Sequence, residues 1–269
     1  MMRSDFVQGN RARLQYFEHG TGSQVLVFVH GYAASARGWD LVQKAFDPEK
    51  YRTFAINNRG AGKSERSSSE EDYTIESFSM DLLDAVTTLG LKDFTLVGHS
   101  LGGATIARFG LDNPSLAKAL VLVASNSLEG HPLDEDWETE VRDQFSSGPI
   151  SLEFGSDISN VPAELIAEIQ SDVNRNPIER ALGGRRSLAA LHLRQKVHLI
   201  DVPVLVIGGD LDQRVDMSDV LLDYLAFSEE RRYLHIFHGV GHSPNLEIPE
   251  DMVAVITNFI DMVDRVRVA

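Results

Sequence analysis

The chain has 269 residues, 43% of them hydrophobic and none of them cysteine, so it can fold around a substantial core but holds no disulfide bond, thiolate metal site or cysteine nucleophile. Its formal net charge of -15 at pH 7 argues against nucleic acid and anionic membranes as partners. No apolar run approaches the roughly 18 residues that cross a bilayer, and residues 1–6 are too polar for a signal peptide, so we expect a cytoplasmic protein without a membrane partner.

Eight short β-rich runs alternate with amphipathic stretches along the chain. Residues 14–18 alternate in polarity and are predicted to pair antiparallel with a strand near Phe6 and Val7. The other runs are continuously apolar, as buried parallel strands are, at residues 25–29, 53–56, 94–97, 119–123, 204–207 and 233–237. The amphipathic stretches lie at residues 39–46, 74–89, 101–112, 216–227 and 249–265. This rhythm predicts an α/β fold, a mostly parallel eight-stranded sheet with helices on both faces.

One interval, residues 128–200, breaks this alternation. It has helical patterning and no convincing strand, and its clearest helices are residues 164–169 and 186–191. An insertion between two strands of an open α/β sheet sits above their carboxyl ends, where ligands bind. We therefore predict a helical cap between strands six and seven, over a core made of residues 1–127 and 201–269. The alternative is that the interval merely extends the core.

The pentapeptide at residues 98–102, GHSLG, joins an apolar run directly to a helical stretch. A strand that turns at once into a helix, with serine at the apex, is typical of a nucleophile elbow. Side chains at positions 98 and 102 would collide with neighbouring backbone in so tight a turn, which explains the glycines there. The helix N-terminus would favour an oxyanion beside Ser100. We predict that Ser100 is a nucleophile.

A serine hydroxyl needs a base and an orienting acid to react at neutral pH. After the strand ending at Ile207 comes GGDLDQRV, with Asp210 and Asp212 as candidate acids. After the strand ending at Phe237 comes HGVGHSPNLE, in which His242 is the candidate base. Loops that follow parallel strands meet at one sheet edge, so these side chains are expected to converge on the serine.

Further motifs carry a family resemblance. His30 and Gly31 look like an HG motif, residues 58–64 are similar to a D-x-R-G-x-G-x-S loop with Asn58 in place of the commoner Asp, and residues 241–247 resemble a histidine loop. With the elbow and the order serine, acid, histidine, the chain resembles the α/β-hydrolase superfamily, in its serine esterase and lactonase branch. The likeness covers nearly the whole chain apart from the predicted cap.

The resemblance implies a role for each residue. Ser100 would attack a carbonyl, His242 would carry the proton, and an aspartate would orient the histidine. The family spacing G-x-x-D, counted from Gly209, selects Asp212 over Asp210 as that acid. The backbone N–H groups of Leu101 and Tyr32 would form the oxyanion hole.

The remaining candidates concern ligands. Tyr32 and His99 are the candidate substrate-binding residues, although packing is the alternative role for His99. The pair Arg185 and Arg186 could bind a substrate carboxylate, or simply lie on the surface. We expect no metal and no cofactor: His235 and His238 should point to opposite faces of their strand, and residues 60–64, GAGKS, lack the first glycine of a phosphate-binding loop.

These features predict a cofactor-independent serine hydrolase whose partner is a small-molecule ester or lactone. The same triad would also serve carbon–carbon bond hydrolysis in vinylogous diketones, or perhydrolysis. Because fold does not fix function, a ligand receptor with slow turnover and a cofactor-free oxygenase are further alternatives. Aspartate-based epoxide and haloalkane chemistry is disfavoured because the elbow carries serine.

Overall fold

The computed structural model describes residues 2–148 and 157–268. Its strands form one eight-stranded sheet in the order β1-β2-β4-β3-β5-β6-β7-β8. Their bounds are β1 (Arg3–Gln8), β2 (Arg13–His19), β3 (Gln24–Val29), β4 (Tyr51–Ile56), β5 (Phe94–His99), β6 (Ala119–Val123), β7 (Val204–Gly209) and β8 (Arg232–Phe237). The predicted α/β fold with a mostly parallel eight-stranded sheet is confirmed.

The antiparallel part of the sheet is confined to its first strands. β1 pairs antiparallel with β2, with Val7 opposite Leu14, and β2 pairs antiparallel with β4. From β4 onward every pairing is parallel. Because β3 to β8 run the same way, the loops that follow them open at one edge, which we call the carboxyl edge.

Helices cover both faces of the sheet, as the alternation predicted. On one face, Phe78, Ile106 and Val220 pack into a buried cluster, whereas Val42 and Ile256 pack into the cluster on the other face. The first group belongs to α2 (Ile75–Thr88), α3 (Leu101–Asp112) and α7 (Met217–Ala226), and the second to α1 (Asp40–Ala45) and α9 (Pro249–Val268). A short helix, α8 (Pro244–Glu247), precedes α9.

Between β6 and β7 the described residues form helices and no strand. The helices are α4 (Trp137–Ser146), α5 (Ala163–Val173) and α6 (Ile178–Ala189). We call residues 128–200 the inserted segment; residues 149–156 of it lie outside the described residues. The predicted helix at 164–169 lies within α5, and that at 186–191 overlaps the end of α6. In the described parts of the chain, no helix is both long and apolar enough to span a membrane.

Candidate active site

Ser100 occupies a strained turn between β5 and α3. Its φ of 54° and ψ of -117° lie in a region that L-residues rarely adopt. A Cβ on Gly98 would lie 2.2 Å from the Gly102 carbonyl oxygen, and a Cβ on Gly102 would lie 2.3 Å from that of Val29. Both glycines are therefore required by the close backbone approach, and the turn holds Ser100 at the carboxyl edge.

Asp212 and His242 form a buried pair at the same edge. The Asp212 Oδ2 lies 2.9 Å from the His242 Nδ1, and the two side chains are only 4% and 9% exposed. Burial alone would raise the pKa of Asp212. The hydrogen bond and charge of His242, together with the backbone N–H groups of Arg214 and Val215, outweigh it and hold this pKa below its ordinary value. The carboxylate is thus ionised and fixed beside the imidazole.

Asp210, the other candidate acid, faces a different partner. Its carboxylate contacts the exposed His238 at 2.6 Å and accepts a 2.6 Å hydrogen bond from the Gly239 N–H. The His238 contact, with that N–H, lowers the pKa of Asp210. The structure therefore brings Asp212, and not Asp210, to His242.

Ser100 and His242 line one cavity, but the serine hydroxyl has another partner there. Its Oγ donates to the Asn126 Oδ1 at 3.1 Å, and the Asn126 N–H donates to the Ser100 carbonyl at 3.2 Å. Among the described residues no hydrogen bond joins Ser100 to His242. Sequence reasoning missed Asn126. The available signal was its position just after β6, at the carboxyl edge beside the elbow.

His99 contacts the loop that carries His242. Its Nε2 donates to the His242 carbonyl at 2.7 Å, and the two imidazole rings lie 4.8 Å apart. Burial, and then the charge of His242, lowers the pKa of His99 to about 3, so its ring is neutral. His99 also lines the cavity, but its Nε2 is already hydrogen-bonded to the His242 carbonyl. Contact with substrate therefore stays a prediction for this residue.

Two of the sequence motifs meet at His30. Its Nδ1 donates to the Gly31 carbonyl at 2.9 Å, and its Nε2 accepts a 3.1 Å hydrogen bond from the Asn58 N–H. Burial, with a smaller effect of the Arg180 charge, lowers the pKa of His30 to about 3. Because position 58 contributes its backbone N–H to this contact, Asn in place of Asp leaves the contact intact.

Tyr32 follows the HG motif and ties it to the inserted segment. Its hydroxyl donates to the Ala181 carbonyl at 2.7 Å, and Arg180 donates to the Tyr32 carbonyl. Burial raises the pKa of the Tyr32 phenol to about 12, so it is a neutral hydrogen-bond donor. No described residue accepts a hydrogen bond from the backbone N–H of Tyr32 or from that of Leu101.

The cavity has a volume of about 510 Å³ and lies between the carboxyl edge and the inserted segment. Phe145 of α4 and Leu188 of α6 line it, together with Ser100 and His242. The two arginines that the sequence suggested as carboxylate ligands lie in different places. Arg185 lines the cavity, whereas Arg186 pairs with Glu70 and Glu138. Within the part of the chain that the structure describes, no group of three or more histidine, aspartate or glutamate side chains is placed to hold a metal ion.

Comparison with known proteins agrees with this geometry. A family model described as the α/β hydrolase fold matches residues 24–147. The chain is 25% identical to a non-heme haloperoxidase of Rhodococcus erythropolis, covering 91% of this chain and 95% of that one. It is 26% identical to a putative esterase/lipase of Mycoplasma pneumoniae, covering 89% and 90%.

Solved structures give the same fold. The enol-lactonase from Burkholderia xenovorans superposes with a TM-score of 0.82 at 19% identity, covering 96% of this chain and 100% of the lactonase. An esterase from Exiguobacterium antarcticum gives a TM-score of 0.81 at 18% identity, with the same coverage. The chain therefore has the α/β-hydrolase fold and resembles the esterase- and lactonase-like branch of that superfamily.

Proposed function

We propose that this protein is a cofactor-independent serine hydrolase that cleaves a carboxylic ester or lactone through an acyl-enzyme on Ser100. The observation that carries the proposal is the buried Asp212–His242 pair, which shares a cavity with a serine held at a strained elbow. The likeness to esterases and to a lactonase supports the same chemistry.

The Asp212 carboxylate fixes the proton of His242 on Nδ1, which leaves Nε2 free to act as a base. His242 then takes the Ser100 proton as Oγ forms a bond to the substrate carbonyl carbon. Collapse of the tetrahedral intermediate breaks the bond to the leaving oxygen, which receives that proton from His242. Water next gives its proton to His242, attacks the acyl carbon and releases the acid, and Ser100 regains its proton.

The oxyanion formed in each step needs donors that are not already engaged. The N–H groups of Leu101 and Tyr32 meet this requirement among the described residues, and Leu101 begins α3, whose N-terminal dipole adds to the stabilisation. Loss of one such donor typically reduces transition-state stabilisation by about 3 kcal/mol.

The Ser100 hydroxyl donates its hydrogen bond to the Asn126 side chain. For the reaction, the Ser100 hydroxyl has to turn from the Asn126 Oδ1 to the Nε2 of His242, which then accepts its hydrogen bond. A hydrogen bond between neutral groups contributes only about 1 kcal/mol net, so the exchange has a small free-energy cost. We therefore assign Asn126 a positioning role. The inserted segment acts as the cap, since α4 and α6 line the cavity opposite Ser100.

The haloperoxidase relatives favour perhydrolysis as a second candidate activity. In that reaction hydrogen peroxide replaces water in the attack on the acyl-enzyme and releases a peracid. The same residues carry both reactions. Peroxide- and acetate-dependent oxidation of bromide would reveal it.

The decisive test is Ser100→Ala, assayed with a short-chain 4-nitrophenyl ester. We expect turnover to fall by at least about 10⁴-fold, with circular dichroism and melting temperature showing that the fold is kept. A fluorophosphonate probe should label Ser100 in the wild-type protein. Full activity of the variant, or labelling at a different serine, would reject this nucleophile.

A further inference from the structure

The side chain of Asn126 lies beside the nucleophile and faces open space in the cavity. Its Oδ1 accepts the hydrogen bond of the Ser100 hydroxyl at 3.1 Å. Its Nδ2 has no acceptor among the described residues, and it is not among the polar atoms that protein encloses completely. Asn126 is half-buried and lines the cavity together with Ser100 and His242. The amide of Asn126 is therefore within reach of a small molecule bound at Ser100.

The turn that carries Asn126 is built against the elbow. Ala124, just after β6, has a φ of 42°, a left-handed conformation that favours glycine. The Asn126 N–H donates to the Ser100 carbonyl at 3.2 Å. A Cβ on Gly103 would lie 2.4 Å from the Ser125 Oγ, so α3 accepts this turn only with glycine at that position. Strained residues persist where the surrounding structure fixes them, and they cluster at active sites. The backbone thus fixes Asn126 beside Ser100.

The order of the strands separates Asn126 from the proposed oxyanion hole. β5 lies between β3 and β6 in the sheet. Tyr32 follows β3 and Asn126 follows β6, so their two loops flank Ser100 from opposite sides. A substrate carbonyl oxygen held by the N–H of Tyr32 is therefore on the β3 side. The Asn126 amide, on the β6 side, is left for a different group that approaches the carbonyl carbon.

Acylation of Ser100 would free the Asn126 Oδ1. It removes the proton from the Ser100 Oγ and makes this atom an ester oxygen, which donates no hydrogen bond. The Asn126 Oδ1 then lacks the donor that it has in the free enzyme. Three other side-chain oxygens of the cavity lining, those of Ser35, Asn176 and Asn245, are enclosed by protein atoms. Asn126, in contrast, offers its oxygen directly beside the ester.

The water that attacks the ester brings two O–H groups to this place. His242 takes the proton of one of them, and its Nε2 has no other partner among the described residues. The second O–H needs an acceptor of its own, because a polar group left without a partner in a protein cavity is unfavourable. The Asn126 Oδ1 meets this need once Ser100 is acylated. A water held by two acceptors has a fixed orientation toward the acyl carbon, which favours attack.

We propose that Asn126 binds the deacylating water through its Oδ1. One proton of this water moves to the His242 Nε2 while the water oxygen forms a bond to the acyl carbon. The other hydrogen stays on that oxygen, donates to Asn126 and leaves with the carboxylic acid. Collapse of the tetrahedral intermediate breaks the bond to the Ser100 Oγ, which takes the proton from His242 and donates to Oδ1 again. The inference rests on the proposed acyl-enzyme and adds a residue to its second half-reaction.

Methanol tests this role because it carries only one O–H. When methanol attacks the acyl-enzyme, that proton goes to His242 and none is left for Asn126. The enzyme is given 4-nitrophenyl butanoate in aqueous methanol, and the ratio of methyl butanoate to butanoate is measured after subtraction of the uncatalysed reaction. In Asn126→Leu this ratio should rise about 10- to 100-fold, because hydrolysis loses a hydrogen bond that methanolysis never makes. An unchanged ratio, with both reactions slowed equally, would mean that Asn126 acts on Ser100 alone, and it overturns the proposal.

Two further variants assign the change to the amide oxygen, with melting temperatures showing that each variant folds. Asn126→Asp keeps an oxygen acceptor and should keep the ratio near that of the wild type. Gln144→Leu is the matched control, since it also replaces a primary amide of the cavity lining with an isobutyl group, but on α4. Its ratio should not change. The proposal fails if either variant raises the ratio as much as Asn126→Leu does, because the ratio would then not report the acceptor at position 126.

Rapid-mixing kinetics separates this inference from the proposed function. Slower deacylation should make Asn126→Leu release a burst of 4-nitrophenol, with kcat lowered more than kcat/KM. Intact-mass spectrometry should then detect a butanoyl group that Ser100→Ala does not acquire. If no acyl group forms on Ser100 in any of these proteins, the hydrolase proposal fails and this inference fails with it. If the acyl-enzyme forms but the methanol ratio does not respond to Asn126→Leu, the hydrolase proposal stands and the water-binding role is wrong.

Discussion

The carboxyl edge of the sheet and the inserted segment form opposite walls of one cavity, but different forces hold them. At the carboxyl edge, Ser100 sits in a turn where a Cβ at Gly98 or Gly102 would overlap backbone atoms. In the inserted segment, α5 is held by a small apolar cluster that includes Leu165 and Ile169. Backbone contacts restrict residue identity, whereas a small apolar cluster accepts many combinations of similar volume.

This difference has a functional consequence. Residues proposed to carry the chemistry stand on strand ends that are buried between helices on both faces of the sheet. Residues of the inserted segment that line the cavity, such as Phe145 and Leu188, stand on helices held by small apolar clusters, which also include Tyr32 and Leu246. We therefore expect the carboxyl edge to determine the proposed reaction and the inserted segment to influence the choice of substrate.

The largest expected effect tests the carboxyl edge alone. Asp212→Asn should lower kcat by about 10⁴-fold, because an amide at this position favours the wrong tautomer of His242. Asp210→Asn is the matched control, two residues away and bonded to the exposed His238. Kinetics on one ester with both variants is the measurement. A larger loss in Asp210→Asn than in Asp212→Asn would contradict the assigned acid.

The same difference explains how far the sequence could be interpreted. Continuously apolar runs predict the parallel strands because a strand buried on both faces accepts few polar residues. The antiparallel pairing of the strands that contain Val7 and Leu14 is predicted from the alternation of polar and apolar residues at 14–18. The elbow glycines, Asp212 and His242 are recognisable because each satisfies a local constraint of the backbone or of the fold's loop order.

Arg180 has no such signal in the sequence, and the signal for Asn126 is only its position just after β6. The burial of Arg180 depends on α6 meeting the loop of Tyr32, whereas the adjacent pair Arg185 and Arg186 is conspicuous in the sequence itself. Asn126 forms its contact only because β6 lies beside β5. Long-range packing decides both roles, and a single sequence does not display long-range packing.

A pair of glycine substitutions sharpens the comparison through stability. Gly102→Ala would place its Cβ 2.3 Å from the Val29 carbonyl oxygen and should destabilise the protein by about 3 kcal/mol. Gly184→Ala, in the interior of α6, would place its Cβ 3.4 Å from the Tyr32 ring, an ordinary contact. Since alanine is the better helix former, this variant should be about 0.5–1 kcal/mol more stable.

Urea unfolding of both variants measures these changes. Equal destabilisation by the two substitutions would mean that α6 is as tightly constrained as the elbow, and the contrast between the two walls would not hold.

A pH-dependent effect is expected where the two regions meet. Asp40 of α1 is 4% exposed, and its pKa is raised to about 6 from 3.8, chiefly by burial. Arg37 and Lys44 oppose this rise, whereas Glu168 and Asp172 of α5 reinforce it. Asp40 is neutral in both the folded and the unfolded state only well below pH 3.8. Well above pH 6 it is charged in both states, and the cost of burying that charge is fully present.

Asp40→Asn should therefore become more stable than the wild type as pH rises from about 4 to 7, by roughly 2–3 kcal/mol at most. Arg37 keeps a partner in this variant, because it also contacts Glu168 at 2.8 Å. Denaturant unfolding of the two proteins at several pH values measures the difference, with a Glu49→Gln substitution at an exposed site as the control. A constant destabilisation across this pH range would show that the charged Asp40 helps to hold α5 against the core. The contact between α1 and α5 would then depend on ion pairing. The inserted segment would be coupled to the sheet more strongly than its small apolar clusters indicate.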